Sequence, residues 1–114
     1  MMIRHENKNN YFIIHVDETD LTENLLEPIR QILTVAFLSG KYKLVFNFES
    51  CQMIDSYFIG LLISTNREVK ELGGNLKCVG VHGQIARAFE IIRLDELIDV
   101  YETLEEAIGS SHPT

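Results

Sequence analysis

The stretch KLVFNFESCQMIDSYFIGLLISTNREVKELGG, residues 43–74, constrains the fold of this chain more than any other. An apolar run (Leu44, Val45, Phe46, Phe48) passes through a short polar connection into Asp55 and Ser56. A long amphipathic helical pattern follows until Gly73 and Gly74 stop it. The order is strand, loop, helix. Asp55 and Ser56 fall at the helix N-terminus, where unpaired backbone N–H groups and the helix dipole favour an oxygen-bearing side chain or an anion. On chemistry alone the pair reads as a helix cap before it reads as a functional site.

The helix has a phase. At about 100° per residue, Phe58, Leu61, Leu62, Thr65, Val69 and Leu72 gather on one face, which must be buried. Ser56, Gly60, Ile63 and Arg67 fall opposite, and Ile59 lies on the flank. The first two turns therefore present aliphatic side chains and a glycine where a solvated helix would carry charges. This predicts a docking surface, with scattered surface aliphatics as the bland alternative.

The remaining chain alternates strands and helices. Residues 2–5 form a short edge strand, Lys8-Asn9-Asn10 a turn and residues 11–16 a stronger strand, together a hairpin. Residues 17–20 (Asp-Glu-Thr-Asp) read as an acidic loop. The next helix buries Ile29, Ile32, Leu33, Ala36 and Phe37, with Asn24 as its cap, Pro28 at the end of its first turn and Gly40 ending it. Residues 75–81 are a strand. Residues 84–93 are a helix with Ile85, Ala88, Phe89 and Ile92 inside and Arg87, Glu90 and Arg93 in solvent. Residues 97–101 supply a last strand, and Thr103-x-x-Glu106 is a capping box for a closing helix. Such alternation indicates one α/β domain whose crossover helices cover the sheet.

Composition excludes several functions. The net charge of −7, from 17 acidic and 10 basic residues, argues against a nucleic-acid or anionic-membrane surface and suits a basic or mixed protein partner. No apolar run approaches the roughly 18 residues that cross a bilayer, and residues 1–10 lack the apolar core of a signal peptide, so no membrane insertion and a cytoplasmic location are expected. Cys51 and Cys78 read as buried structural thiols. His5, His15, His82 and His112 lack ligand spacing, so no metal is expected. Residues 80–83 (Gly-Val-His-Gly) lack the spacing and the lysine of a phosphate loop, and no cofactor is implied. Ser56 has no nucleophile elbow and no histidine assignable as its base, so no catalytic residue is expected.

The segment VFNFESCQMIDSYFIGLLI resembles, without a gap, the core motif of STAS domains, above all the anti-sigma factor antagonists. The resemblance covers residues 11–108 and is most specific over 45–62. It implies the STAS fold, a small central mixed β-sheet of about four to five strands covered by about four helices. Residues 1–108 would form that single domain and residues 109–114 a disordered tail. The serine after the motif aspartate, here Ser56, is the one a partner kinase phosphorylates in that family. An acidic residue after the second strand, here Asp20, would join Asp55 in a pocket that holds the Ser56 hydroxyl and helps position kinase-bound magnesium. The family continues with Ser or Thr, Gly, an aliphatic residue and Gly, whereas this chain has Tyr57, Phe58, Ile59 and Gly60. The implied partner is an anti-sigma serine kinase or related regulatory protein, meeting Tyr57, Ile59, Gly60, Ile63 and Arg67. The implied alternative is a constitutive subunit docking on a transporter ATPase or signalling scaffold without phosphorylation.

Overall fold

In the computed structural model, residues 2–109 are described; the expected tail beyond them, with His112, lies outside the described residues. Gly109, expected in that tail, closes the last helix. The hairpin forms from β1 (Ile3–Lys8) and β2 (Tyr11–Val16), and Asn9 and Asn10 turn it with φ of 53° and 70°. Two left-handed residues in a two-residue loop match the twist of the flanking strands, and asparagine tolerates them better than most residues. β4 (Lys43–Asn47), β6 (Asn75–Val79) and β7 (Asp99–Tyr101) add in parallel, giving the sheet order β1-β2-β4-β6-β7.

The long helices are α1 (Leu26–Leu38), α2 (Ser56–Glu71) and α3 (Gly83–Ile91); α4 (Leu104–Gly109) closes the fold. Side chains alternate across each strand, so β2 sends Phe12, Ile14 and Val16 into the core beneath α1 to α3. Tyr11 and Ile13 go to a second cluster with Val45, Val79, Ala107 and Ile108 of α4. Both faces are covered, which is why β2 is apolar at five of its six positions and buried throughout. The capping box forms as expected: Thr103 N–H donates to Glu106 Oε1 and Glu106 N–H to Thr103 Oγ1, both at 3.1 Å.

Five local expectations are corrected. Residues 17–20 are not all loop, because Asp20–Leu21 is a short strand, β3, parallel to β5 (Met53–Ile54). Asn24 is not a cap; it sits inside a 3-10 turn, Glu23–Leu25, that starts at Thr22 and runs into α1. Pro28 thus falls third in α1, where its missing N–H has no intrahelical partner to lose. Leu72 and Ile92 are exposed (46% and 45%), because α2 and α3 end just before them and the helical phase no longer applies. A second 3-10 turn, Leu94–Glu96, follows Arg93, so the last strand starts at Asp99 and not at residue 97. β6 stops at Val79, since Gly80 turns with φ 71° against Glu49, whose Cα would lie 2.8 Å from an added Cβ.

Among the described residues four polar side chains are buried, and three of them, Lys77, Asn66 and His15, make side-chain hydrogen bonds, although Asn66 Oδ1 has none. Lys77 is 2% exposed, yet its ammonium meets the Ala107 carbonyl at 2.6 Å and the rings of Tyr11 and Tyr101 at 4.7 and 4.9 Å. Asn66 Nδ2 donates to the Leu97 carbonyl at 3.3 Å. His15 is fixed from two sides. Asn47 Oδ1 accepts from Glu49 N–H, so Asn47 Nδ2 donates to His15 Nδ1 (3.0 Å), and His15 Nε2–H donates to Glu6 Oε2 at 2.6 Å. His15 is therefore a cross-strand brace.

Candidate functional site

The loop from β4 to α2 is anchored before it reaches Asp55. Gln52 N–H donates to the Thr19 carbonyl (2.7 Å), Asp55 N–H to the Leu21 carbonyl (2.9 Å) and Ile54 N–H to Gln84 Oε1 (2.9 Å). The β3–β5 pair therefore ties this loop to the segment that enters α1. Phe58 fixes the helix from below. It is fully buried, with its ring edge-on to Phe46 and Phe48 at centroid distances of 6.5 and 5.9 Å.

Asp55 is the N-cap of α2 and does two jobs. Its Oδ1 accepts from Phe58 N–H at 2.9 Å, and its Oδ2 accepts from Glu23 N–H at 3.0 Å. One carboxylate thus satisfies the first turn of α2 and the start of the 3-10 turn before α1, favoured further by the positive end of the α2 dipole. Ser56 is the first residue of the helix. It is exposed, and among the described residues its hydroxyl has no hydrogen bond.

This division corrects the expected pocket. Asp55 makes no hydrogen bond to the Ser56 hydroxyl; its two oxygens accept from the backbone donors of Phe58 and Glu23 instead. Asp20 comes near through the β3–β5 pairing, opposite Met53, but its exposed side chain makes no hydrogen bond to Ser56. Asp20 instead lines an open cavity of about 360 Å³ with Glu18, Thr19, Thr22, Asn24 and Leu25. The acidic loop and the helix N-terminus share one pole of the molecule without sharing a hydrogen-bonded site.

The expected docking residues separate into two groups. Tyr57 (59% exposed), Gly60 and Arg67 are open with Ser56. Ile59 and Ile63 are half-buried and packed on the core, so Ile63 does not stand on the outer face as the phase of α2 alone suggests. The segment after the second 3-10 turn lies along this flank, its Leu97 carbonyl accepting from both Asn66 and Lys70 (3.3 and 3.4 Å). Gly60 carries no packing duty, as an added Cβ there meets nothing within 4 Å. Sequence reasoning missed Glu23, whose backbone makes the brace, and Gln84, which anchors Ile54; neither side-chain type signals such a role.

The thiols and histidines lie outside this site. Cys51 Sγ donates to the Val16 carbonyl at 3.4 Å, and burial pushes its thiol up to about 12; burial pushes Cys78 higher still. Among the described residues, no group of three or more His, Cys, Asp or Glu side chains could hold a metal ion, and no helix is long and apolar enough to cross a membrane.

Comparison with known proteins agrees with this architecture. The STAS domain family model matches residues 3–107. The anti-sigma-B factor antagonist of Staphylococcus aureus is 31% identical over 83 residues, which are 73% of this chain and 70% of that protein. A Thermotoga neapolitana homolog of TM1081 is 27% identical over 73 residues, 63% of this chain and 65% of that relative's length. Among solved structures, the Bacillus cell fate determinant SpoIIAA in its phosphorylated form superposes with a TM-score of 0.75 at 22% identity, covering 97% of this chain and 100% of that one. With the motif, the sheet order and a family match across nearly all of the described residues in agreement, the chain belongs to the STAS domain family, whose matched relatives include anti-sigma factor antagonists.

Proposed function

We propose that this chain acts as an anti-sigma factor antagonist in a cytoplasmic partner-switching pathway, by binding and not by chemistry of its own. Its unphosphorylated form engages an anti-sigma serine kinase, and phosphorylation of Ser56 releases it. One observation carries the reading: Ser56 is exposed at the head of α2 with an unbonded hydroxyl, while Asp55 performs the structural work of the pair. Ser56 is therefore available to a kinase without loss to the fold. A phosphate would add roughly −1.5 to −2 charges beside Asp55 and the Glu23 turn, at the acidic pole lined by Glu18 and Asp20. Repulsion and the cost of desolvating that phosphate then oppose docking of Tyr57, Gly60 and Arg67 against a partner.

The two departures from the family motif have different weights. Phe58 is turned wholly into the core, so its ring cannot obstruct a partner. Tyr57 stands in solvent and supports the second reading, a constitutive subunit on a transporter ATPase or scaffold.

Titration calorimetry against the cognate kinase separates the two. Ser56→Ala is expected to bind as the wild type does, and Ser56→Asp at least several-fold more weakly, a penalty of about 1–3 kcal/mol. If wild type, Ala and Asp variants bind equally and mass spectrometry of protein from the native host finds no phosphate on Ser56, the switch is refuted and the constitutive reading replaces it.

A further inference from the structure

Among the described residues β7 ends the main sheet, and its outer side has no neighbouring strand. Its register with β6 pairs Cys78 with Val100 and Val79 with Tyr101, and the Tyr101 carbonyl accepts from Gly80 N–H at 3.3 Å. Backbone groups alternate in direction along a strand, so those of Val100 face away from β6. Beside this edge lies a groove of about 240 Å³. Val81, Ala86, Phe89 and Val100 give it an apolar lining, and Glu90 and Asp95 bring carboxylates to it. Val100 is 39% exposed, so its side chain is open to a partner at this edge. Asp99 and Glu102 extend the negative charge along the edge, and the nearby Arg93 guanidinium already lies 3.8 Å from Glu96.

An open strand edge, an apolar trough beside it and a carboxylate rim specify an occupant. We propose that β7 docks an extended segment of a protein partner, carrying one aliphatic residue with lysine or arginine two residues to either side. The segment adds as a further strand, and its backbone pairs with the outward groups of Val100. Side chains two apart share a face of the new strand, so the aliphatic one enters the trough and the flanking cations meet Glu90 and Asp95. A second copy of this chain fits poorly, because pairing β7 with itself about a two-fold axis sets Asp99 and Glu102 against the same acidic edge. The proposal is independent of Ser56 and stands or falls separately from the switch.

The probe is the capped peptide Ser-Arg-Thr-Ile-Thr-Arg-Ser, titrated into isotope-labelled full-length protein and followed by amide NMR shifts. Saturable shifts are expected at Val81, Ala86, Glu90, Asp95 and Val100, with α2 unmoved. The same peptide with Glu in place of both Arg residues should bind at least tenfold more weakly. The double variant Glu90→Lys, Asp95→Lys should weaken the arginine peptide as much; both sites are exposed, and an unchanged spectrum elsewhere verifies its fold. Val100→Arg, which places a cation in the trough, is a second and independent block. Absence of saturable shifts, equal binding of the acidic peptide or shifts confined to α2 would each overturn the proposal. So would sedimentation evidence that wild-type protein self-associates and that Val100→Arg abolishes this, since the occupant would then be a second copy.

Discussion

Removing the Asp55 carboxylate tests whether one side chain holds two chain segments together. Asp55→Ala removes an N-cap, worth about 1 kcal/mol, and a charge-assisted hydrogen bond to Glu23 N–H, worth about 1.5 kcal/mol. The total is about 2–3 kcal/mol, and at roughly 4 °C per kcal/mol for a domain of this size it lowers Tm by about 10 °C. Asp55→Asn separates the two parts. Its amide oxygen still caps Phe58 N–H, but its NH2 faces the Glu23 donor, so a loss of about 1.5 kcal/mol is expected from the brace alone. The background Glu23→Pro deletes that donor at a tolerant position, because Glu23 opens the 3-10 turn and Thr22 before it is already extended (φ −126°, ψ 178°). There the Asp55→Asn cost should fall by about 1 kcal/mol or more. Urea unfolding followed by circular dichroism measures the wild type and each of these variants, with an unchanged m-value as the check on two-state behaviour. Ser56→Ala should move stability by less than about 0.5 kcal/mol. If Ser56→Ala costs as much as Asp55→Ala, or Asp55→Asn costs the same with and without Glu23→Pro, the assignment of cap and brace to Asp55 is wrong.

Gly60→Ala should raise stability by about 0.5–1 kcal/mol in thermal melts, since the helix gains propensity and the new methyl meets nothing; a loss of stability would reveal a hidden packing role. Arg93 holds φ 58° at the position after α3 where helices favour glycine, so Arg93→Gly is expected to stabilise by about 0.5–1 kcal/mol in the same assay. Burial raises both thiols in the folded chain above their ordinary value of 9.0, Cys51 to about 12. The stability they confer is full below pH 9 and declines as pH rises from 9 towards 12, because the unfolded chain releases protons that the folded chain keeps. Cys51→Ala should therefore flatten the alkaline slope of urea midpoints by up to about 1.4 kcal/mol per pH unit, and an unchanged slope would count against burial as its source.

Much of this was legible in the sequence, where one local signal met one structural consequence. The paired asparagines announced the hairpin, the spacing of Phe58, Leu61, Leu62, Thr65 and Val69 gave the buried face of α2, and Thr103 with Glu106 gave the last cap. What failed depends on other parts of the chain. Two-residue strands such as β3 and β5 are too short for an alternation to register, so Asp20 read as loop. Ile63 faces outward by phase yet packs on the main core, on a helix along which Leu97 returns to bond Asn66. The burial of Lys77 has no local signal at all, since α4 and two tyrosines distant in sequence enclose it. At Asp55 and Ser56, two adjacent residues were each chemically fit to cap, and only the backbone decides which one does.

The enclosure of Lys77 bears on how the protein is completed during synthesis. The core beneath α1 to α3 can assemble once residues up to Ile98 have left the ribosome, because every member of that cluster precedes this point. The opposite face cannot. Tyr11, Ile13, Val45 and Val79 stay uncovered, and the Lys77 ammonium lacks its carbonyl acceptor, until Ala107 and Ile108 emerge nearly a hundred residues after Tyr11. A chain terminated just before Leu104 would thus carry a finished main core and a bare apolar sheet face. Such a product would be prone to aggregation and open to proteolysis despite native strand order, because the six-residue α4 alone covers that face with Ala107 and Ile108.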